Sequence, residues 1–386
     1  MYRRTTPTHR NRWLAGLVAA TTLTTVLAGC SSARENAASE REDDGDLSAS
    51  AQQCLDKANA FLDDRGLLPD ELADELTPLS EPPTRGLTIT RLYPGSVPSS
   101  GEVSQAIVDN ADELGWTGKK VAFDGSVEDV NRKLLEAIDD SDIVEVDGFP
   151  PAAVQPAIAA AKEKGVLLML GAITDQPESI PGFGAVPNGG DLFNQMGELA
   201  AYSFMRATRC QGNMAAFGLP FDAMRTVGNS AGEVVERECE NCTFSYTDIQ
   251  TSDIGSPAAT NTVVSKLQSD PSIDFAFFTI GDLALGIRPA MTQAGVDAEI
   301  GGALPLSSNL ADLQNGDNSF WVGAASEVTA LSQLDSAARA LDSGQTVVGN
   351  RVPLPIFTQD NLESADPVPV YPTDILAQFK QLWLVE

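Results

Sequence analysis

The chain predicts an α/β fold built as two successive lobes, each on a parallel, doubly wound sheet. Three observations point that way. From about residue 86 onward, short β-branched or apolar runs alternate with amphipathic helical runs, and strands separated by helices require crossover connections. Residues 166–170 (Val-Leu-Leu-Met-Leu) are apolar without alternation, as a strand covered on both faces must be. The alternation then restarts near residue 192 with a unit of similar size.

Taken in order, residues 51–66 place Cys54, Leu55, Ala58, Phe61 and Leu62 on one face of a helix. Pro69, Pro78, Pro82 and Pro83 break the following stretch into a linker. Strands are expected at 87–92, 120–123, 143–146, 166–170 and 183–186, with helices at 102–114, 127–138 and 151–164. Gly115 and Gly165 close two of those helices. The second series sets helices 192–208, 223–236, 258–268 and 283–294 against strands 214–217, 243–247, 275–280 and 299–304. A last unit runs helix 308–313, strand 320–324, helix 328–341, an extended stretch 347–357 and a terminal helix near 374–384.

The N-terminal residues read as a targeting segment. Arg3, Arg4, Arg10 and Arg12 precede an uncharged run, 13–26, too short to span a bilayer comfortably, and Leu27-Ala28-Gly29-Cys30 follows. The last four residues resemble a bacterial lipobox, which implies removal of 1–29 and a lipid on Cys30. The expected location is therefore extracytoplasmic, held to a bacterial cell membrane by that lipid. Residues 31–50 are, apart from Leu47, small, polar or charged, and are expected to form a disordered acidic tether. The 54 acidic residues outnumber the 25 lysines and arginines, for a net charge of −29. Loss of the arginine-rich leader makes the remainder more acidic still. Such a surface argues against nucleic acid as a partner. The single histidine, His9, lies in the leader, so the remaining chain has no Ser-His-Asp or Cys-His catalysis and no histidine-ligated zinc.

Beyond Cys30 there are four cysteines, Cys54, Cys210, Cys239 and Cys242, and an oxidising compartment favours disulfides among them. Cys210 precedes one expected strand and Cys242 begins the next, on the same edge of a parallel sheet, so a Cys210–Cys242 bridge is expected. Cys239 is the competing partner, and Cys54 takes whichever remains. Cys239-Glu-Asn-Cys242 has the spacing of a redox motif but falls between a helix end and a strand rather than between a strand and a helix.

A family resemblance lies in the order of several stretches: 111–116 with Phe123-Asp124-Gly125; Val130-Asn131 and 134–138; Pro150-Pro151, Val154-Gln155 and 160–165; 281–286 through 293–295; and 300–302 with 310–316. Together they resemble type I periplasmic binding proteins of the ribose-binding-protein-like branch, over roughly residues 86–345. The resemblance implies two Rossmann-like lobes joined by a three-segment hinge, with crossings near Pro187-Asn188, near Pro305-Leu306 and near 350–355. It divides the chain into 1–29 (leader), 30–85 (anchor, tether and helical linker), 86–187 with 305–346 (first lobe) and 188–304 with 347–386 (second lobe). It implies a monomer that captures a small solute and delivers it to an ABC-type permease, with no catalysis, cofactor or metal. A sensory binding protein of the same fold is the alternative.

In open parallel sheets ligands bind outside the carboxyl ends of the strands, so the expected ligand residues lie in those loops: Tyr93, Ser96, Ser100, Asp124, Phe149, Thr174, Phe221, Arg225, Asp282 and Ser307. Asp147, Ser99 and Asp175 lie in the same loops. Asp124 and Asp282 also fit helix caps, and Arg225 also fits an internal ion pair. Leu170-Gly171-Ala172, Gly281-Asp282 and Ala303-Leu304 stand where the resembling sugar binders carry acids, amides or an aromatic residue. The expected cleft is accordingly more apolar than a ribose site, suited to a sugar or to a more apolar or aromatic solute.

Overall fold

A computed structural model describes residues 47–386 except 73–75, 174–182, 190, 346 and 349–351. The expected leader, Cys30, Thr174 and Asp175 lie outside the described residues. Helix α1 (Ala49–Arg65) comes first. The first lobe then runs β1 (Thr88–Pro94), α2 (Pro98–Asn110), β2 (Thr117–Phe123), α3 (Val127–Asp140), β3 (Ile143–Asp147), α4 (Gln155–Lys164), β4 (Leu167–Gly171) and β5 (Phe183–Val186). The second runs α5 (Leu192–Ala207), β6 (Asn213–Gly218), α6 (Asp222–Glu238), β7 (Thr243–Asp248), α7 (Pro257–Ser269), β8 (Phe275–Phe278), α8 (Ile287–Ala294), β9 (Glu299–Ala303), α9 (Ser307–Gln314) and β10 (Phe320–Val322). Helix α10 (Ser326–Ser343), β11 (Val347–Val348), β12 (Ile356–Phe357) and α11 (Ile375–Leu382) complete the chain.

The two sheets repeat one topology. Their orders are β11-β5-β4-β3-β1-β2 and β12-β10-β9-β8-β6-β7. All pairings are parallel except β10 with β12. Strand β4 explains its apolar run: Met169 joins the core shared with the second lobe, while Leu168 and Leu170 join the core under α3 and α4. One expected helix differs. The run 283–294 splits into a 3-10 turn (Gly281–Ala284) and α8, because Gly286 adopts the left-handed φ of +74° that glycine accepts without a steric penalty.

The lobe boundary also needs correction. Strand β10 pairs with β9, in the second sheet, so 305–325 belongs to the second lobe rather than the first. The crossing falls at 323–326, after β10, as the first crossing at Pro187-Asn188 follows β5. Pro305 follows β9, the counterpart of β4, and misleads because a proline there breaks a strand without sending the chain to the other lobe. Helix α10 then packs on α2. The C-terminal segment is divided between the lobes: β12 joins the second sheet, while α11 reaches the first lobe. There Trp383 donates from Nε1 to Asp335 on α10 (3.0 Å), and Lys380 pairs with Glu113 (3.1 Å).

The disulfides differ from the expected pairing as well. Cys54 bonds to Cys210, and Cys239 bonds to Cys242. Helix α1 docks on α5, stacking Phe61 on Tyr202 with ring centroids 3.9 Å apart, and this carries Cys54 to Cys210 just beyond the end of α5. Cys239 and Cys242 face each other across the turn between α6 and β7. From α1 the chain runs across to the first lobe. The Leu67 carbonyl accepts from Ile356 N (2.7 Å), that of Thr77 from Arg339 (2.7 Å) and that of Thr84 from Trp116 Nε1 (2.8 Å). The proline-rich stretch is thus a strap across both lobes. Peptide mapping without reduction should recover Cys54 linked to Cys210. Replacing both with serine should lower the free energy of unfolding by about 2–5 kcal/mol, since the bridge closes a loop of 156 residues. Recovery of a Cys210–Cys242 peptide would contradict the docking of α1.

Candidate functional site

The carboxyl ends of both sheets face one cavity of about 180 Å³. The first lobe contributes Arg91, Ser99, Ser100, Phe123, Asp147 and Phe149. The second contributes Phe193, Met196, Leu219, Phe221, Met224 and Ile280, and the crossings add Asn188, Ala324 and Val352. Three residues on this wall, Ala172, Asn188 and Leu304, hold φ values of +50°, +51° and +50°. Non-glycine residues resist that left-handed conformation, and such strain concentrates at binding sites and switch regions.

Arg91 organises the polar side. It sits within β1 in register with Glu145 of β3. It is 1% exposed and Glu145 is fully buried. A guanidinium stays charged in a protein and a buried charge must be paired. Arg91 Nη1 donates to the Ser100 carbonyl (2.9 Å) and to Ser104 Oγ (2.6 Å). Its Nη2 pairs with Asp147, and its Nε lies 3.9 Å from Glu145 Oε2. Asp147 Oδ1 is buried without a hydrogen-bond partner, and so is Asn188 Oδ1. Gly171 makes room for Asp147: a side chain there would collide with Asp147 Oδ1 and stand 3.0 Å from the Pro187 carbonyl oxygen. Asp147, from the end of β3, thus occupies the space that a side chain at the end of β4 would fill.

Burial pushes the Glu145 carboxyl up to about 8; Arg91 opposes that rise and Asp147 adds to it. Aromatic residues close the other sides. Phe149 meets Phe123 edge-on at 5.7 Å and is carried into the cavity by the turn after β3. Phe221 faces that turn from the second lobe. The lobes touch where Ser99 N donates to Asp282 Oδ1 (3.1 Å). Burial raises the Asp282 carboxyl, and the bonds from Ser99 offset part of the rise.

Of the ten expected ligand residues, the cavity gathers Ser100, Phe149 and Phe221. Thr174 lies outside the described residues. The other six lie elsewhere. Tyr93 packs beside Gly101 with Lys120 Nζ 5.9 Å above its ring. Ser96 is exposed. Asp124 is exposed and accepts from Ser126 N (2.8 Å), tightening the turn into α3. Arg225 forms a two-pronged ion pair with Asp248 (2.7 and 3.1 Å). Asp282 bridges the lobes rather than capping a helix. Ser307 opens α9. Arg91 lies inside β1 rather than in a strand-end loop. Its signal was a charge inside an apolar strand, beside a strand carrying Glu145 and Asp147.

The fold is that of type I periplasmic binding proteins. No protein-family model and no curated protein matches the chain. Solved structures do. A glucose-galactose binding protein from Geobacillus stearothermophilus is 16% identical, covering 72% of this chain and 100% of its own, with a TM-score of 0.60. An ABC transporter solute binding protein from Mycobacterium smegmatis, with bound glycerol, is 15% identical over 72% and 95% of the two chains (TM-score 0.60). A sugar ABC transporter from Yersinia enterocolitica is 13% identical over 78% and 95% (TM-score 0.62). At these identities the likeness is one of fold.

Glu145 gives the site a measurable signature. An unfolded chain ionises this carboxyl in the usual carboxylate range, whereas the folded chain retains the proton up to about 8. Its contribution is complete below the unfolded value and declines as pH rises through that window. Glu145→Gln should therefore flatten the fall in unfolding free energy between pH 5 and pH 8, measured by denaturant titration. An unchanged slope would mean that Glu145 is ionised in the folded protein.

Proposed function

We propose that this protein captures a small solute between its lobes outside the cytoplasm and presents the closed form to an ABC-type importer. Delivery to a permease, tethering through lipid on Cys30 and action as a monomer are parts of the same reading. One observation carries it: a single cavity is walled jointly by the facing carboxyl ends of two topologically equivalent sheets and by the crossings between them. Ligand-dependent closure follows from that arrangement, because a solute touching both walls favours the state in which the walls meet. The sugar ABC transporter proteins that share the fold are binding components, and this chain is read as one by analogy. The groups gathered in the cavity suit holding a solute rather than transforming it. Arg91 and Asp147 neutralise each other, and the rest are aliphatic side chains, aromatic rings, thioethers, hydroxyls and an amide.

Native mass spectrometry of the chain purified without denaturant should reveal a retained small molecule. Its class, added back at about 100 times its Kd, should raise Tm by about 5 °C or more. No retained molecule and no shift across sugars, polyols and aromatics would overturn solute capture. A ligand that closes the lobes yet leaves uptake by the neighbouring permease unchanged would move the role to a sensor. With that ligand, Phe221→Ala should weaken binding by about tenfold or more, and Arg225→Ala should leave it within about twofold, as its pair with Asp248 is exposed.

A further inference from the structure

We infer that the solute is a small uncharged aromatic molecule bearing a hydroxyl donor, rather than a sugar or a carboxylate. This rests on solute capture in the cavity described above and specifies its ligand.

The walls set the aromatic part. Phe123, Phe149, Phe193 and Phe221 converge on the cavity from both lobes, with the thioethers of Met196 and Met224 beside them. Rings stack on rings or meet them edge-on, and methionine sulfur adds contacts at ring edges. A monosaccharide would turn most of its hydroxyls toward these walls, and a buried hydroxyl without a partner costs free energy.

The polar side sets the rest. Among the residues that line the cavity, Asp147 and Asn188 each carry a buried oxygen, Oδ1, without a hydrogen-bond partner, and both are acceptors. They call for a ligand that donates. Arg91 does not offer itself to an anion. Its Nη1 is held by Ser100 and Ser104 and its Nη2 by Asp147; its Nε has no hydrogen-bond partner but lies on the side of Glu145, 3.9 Å from Oε2, so a ligand carboxylate would have to displace Asp147. A cation gains little, because the Asp147 charge is already met by Arg91. The proton retained on Glu145 keeps this side of the cavity near neutral.

Calorimetric titration of the purified full chain with phenol, 4-hydroxybenzyl alcohol, benzoate, phenethylamine, ribose and glucose tests the inference. A hydroxylated neutral aromatic should bind at least about tenfold more tightly than the other four. Asn188→Gly tolerates the positive φ at that position and removes the side-chain amide, its acceptor included, so it should weaken that binding about three- to tenfold. Phe149→Leu, which keeps the bulk and removes the ring, should weaken it as well. Tm of each ligand-free variant separates lost binding from lost folding. Tighter binding of ribose or glucose would overturn the aromatic assignment while leaving solute capture intact. Tighter binding of benzoate or phenethylamine would overturn the uncharged assignment. A retained natural solute without a ring would also overturn the aromatic assignment. No binding by any probe, together with no retained solute, would contradict solute capture itself.

Discussion

A permanent cation inside a parallel strand constrains much of the first lobe. Arg91 cannot shed its charge, so the sheet around it must supply partners. Its neighbour β3 brings Glu145 in register and Asp147 at the strand end, and α2 turns a carbonyl and two hydroxyls toward it. That demand places Asp147 at the cavity wall, with Oδ1 packed over Gly171 and without a hydrogen-bond partner. The polarity of the binding wall is thus a by-product of satisfying one buried guanidinium.

Around that wall the architecture is a duplication. Each lobe has the same strand order, and each sends the chain across after its fifth strand. The result sets two carboxyl edges against each other, which is the geometry of a clamshell. The strap from α1 adds a connection that the three-crossing description lacks. Locked to the second lobe by Cys54–Cys210 and hydrogen-bonded to α10 and Trp116 of the first, it ties the lobes together along a path separate from the crossings after β5 and β10. The closure proposed above would have to occur with the strap in place.

Much of the fold was legible because its signals are local. Apolar runs, helix-closing glycines and prolines between segments report the structure of their own neighbourhood, and strands and helices appeared where those patterns stood. The failures were non-local. Pro305 looks like a crossing, and only the pairing of β10 with β9 reveals that the chain stays in the second lobe. The Cys54–Cys210 bridge depends on where α1 docks, which no local pattern encodes. The site divided the same way. Ser100, Phe149 and Phe221 line the cavity, as residues of strand-end loops do in such folds. Arg225 was drawn away by Asp248, an acid that folding brings beside it from the adjoining strand. Arg91 was missed because its position in the middle of a strand normally marks structure. The apolar character of the cleft was legible in Leu170-Gly171-Ala172 and Ala303-Leu304, whereas the position of Asp147 over Gly171 was not.

The central claim is that a solute occupies the space between the lobes and touches both. A crystal structure of the protein with its retained or best-binding solute tests this most directly. The account predicts density for the solute beside Asp147 and Asn188, with Phe149 of one lobe and Phe221 of the other against it. Solute bound on one lobe only, or at a surface away from Arg91 and Asp147, would contradict it.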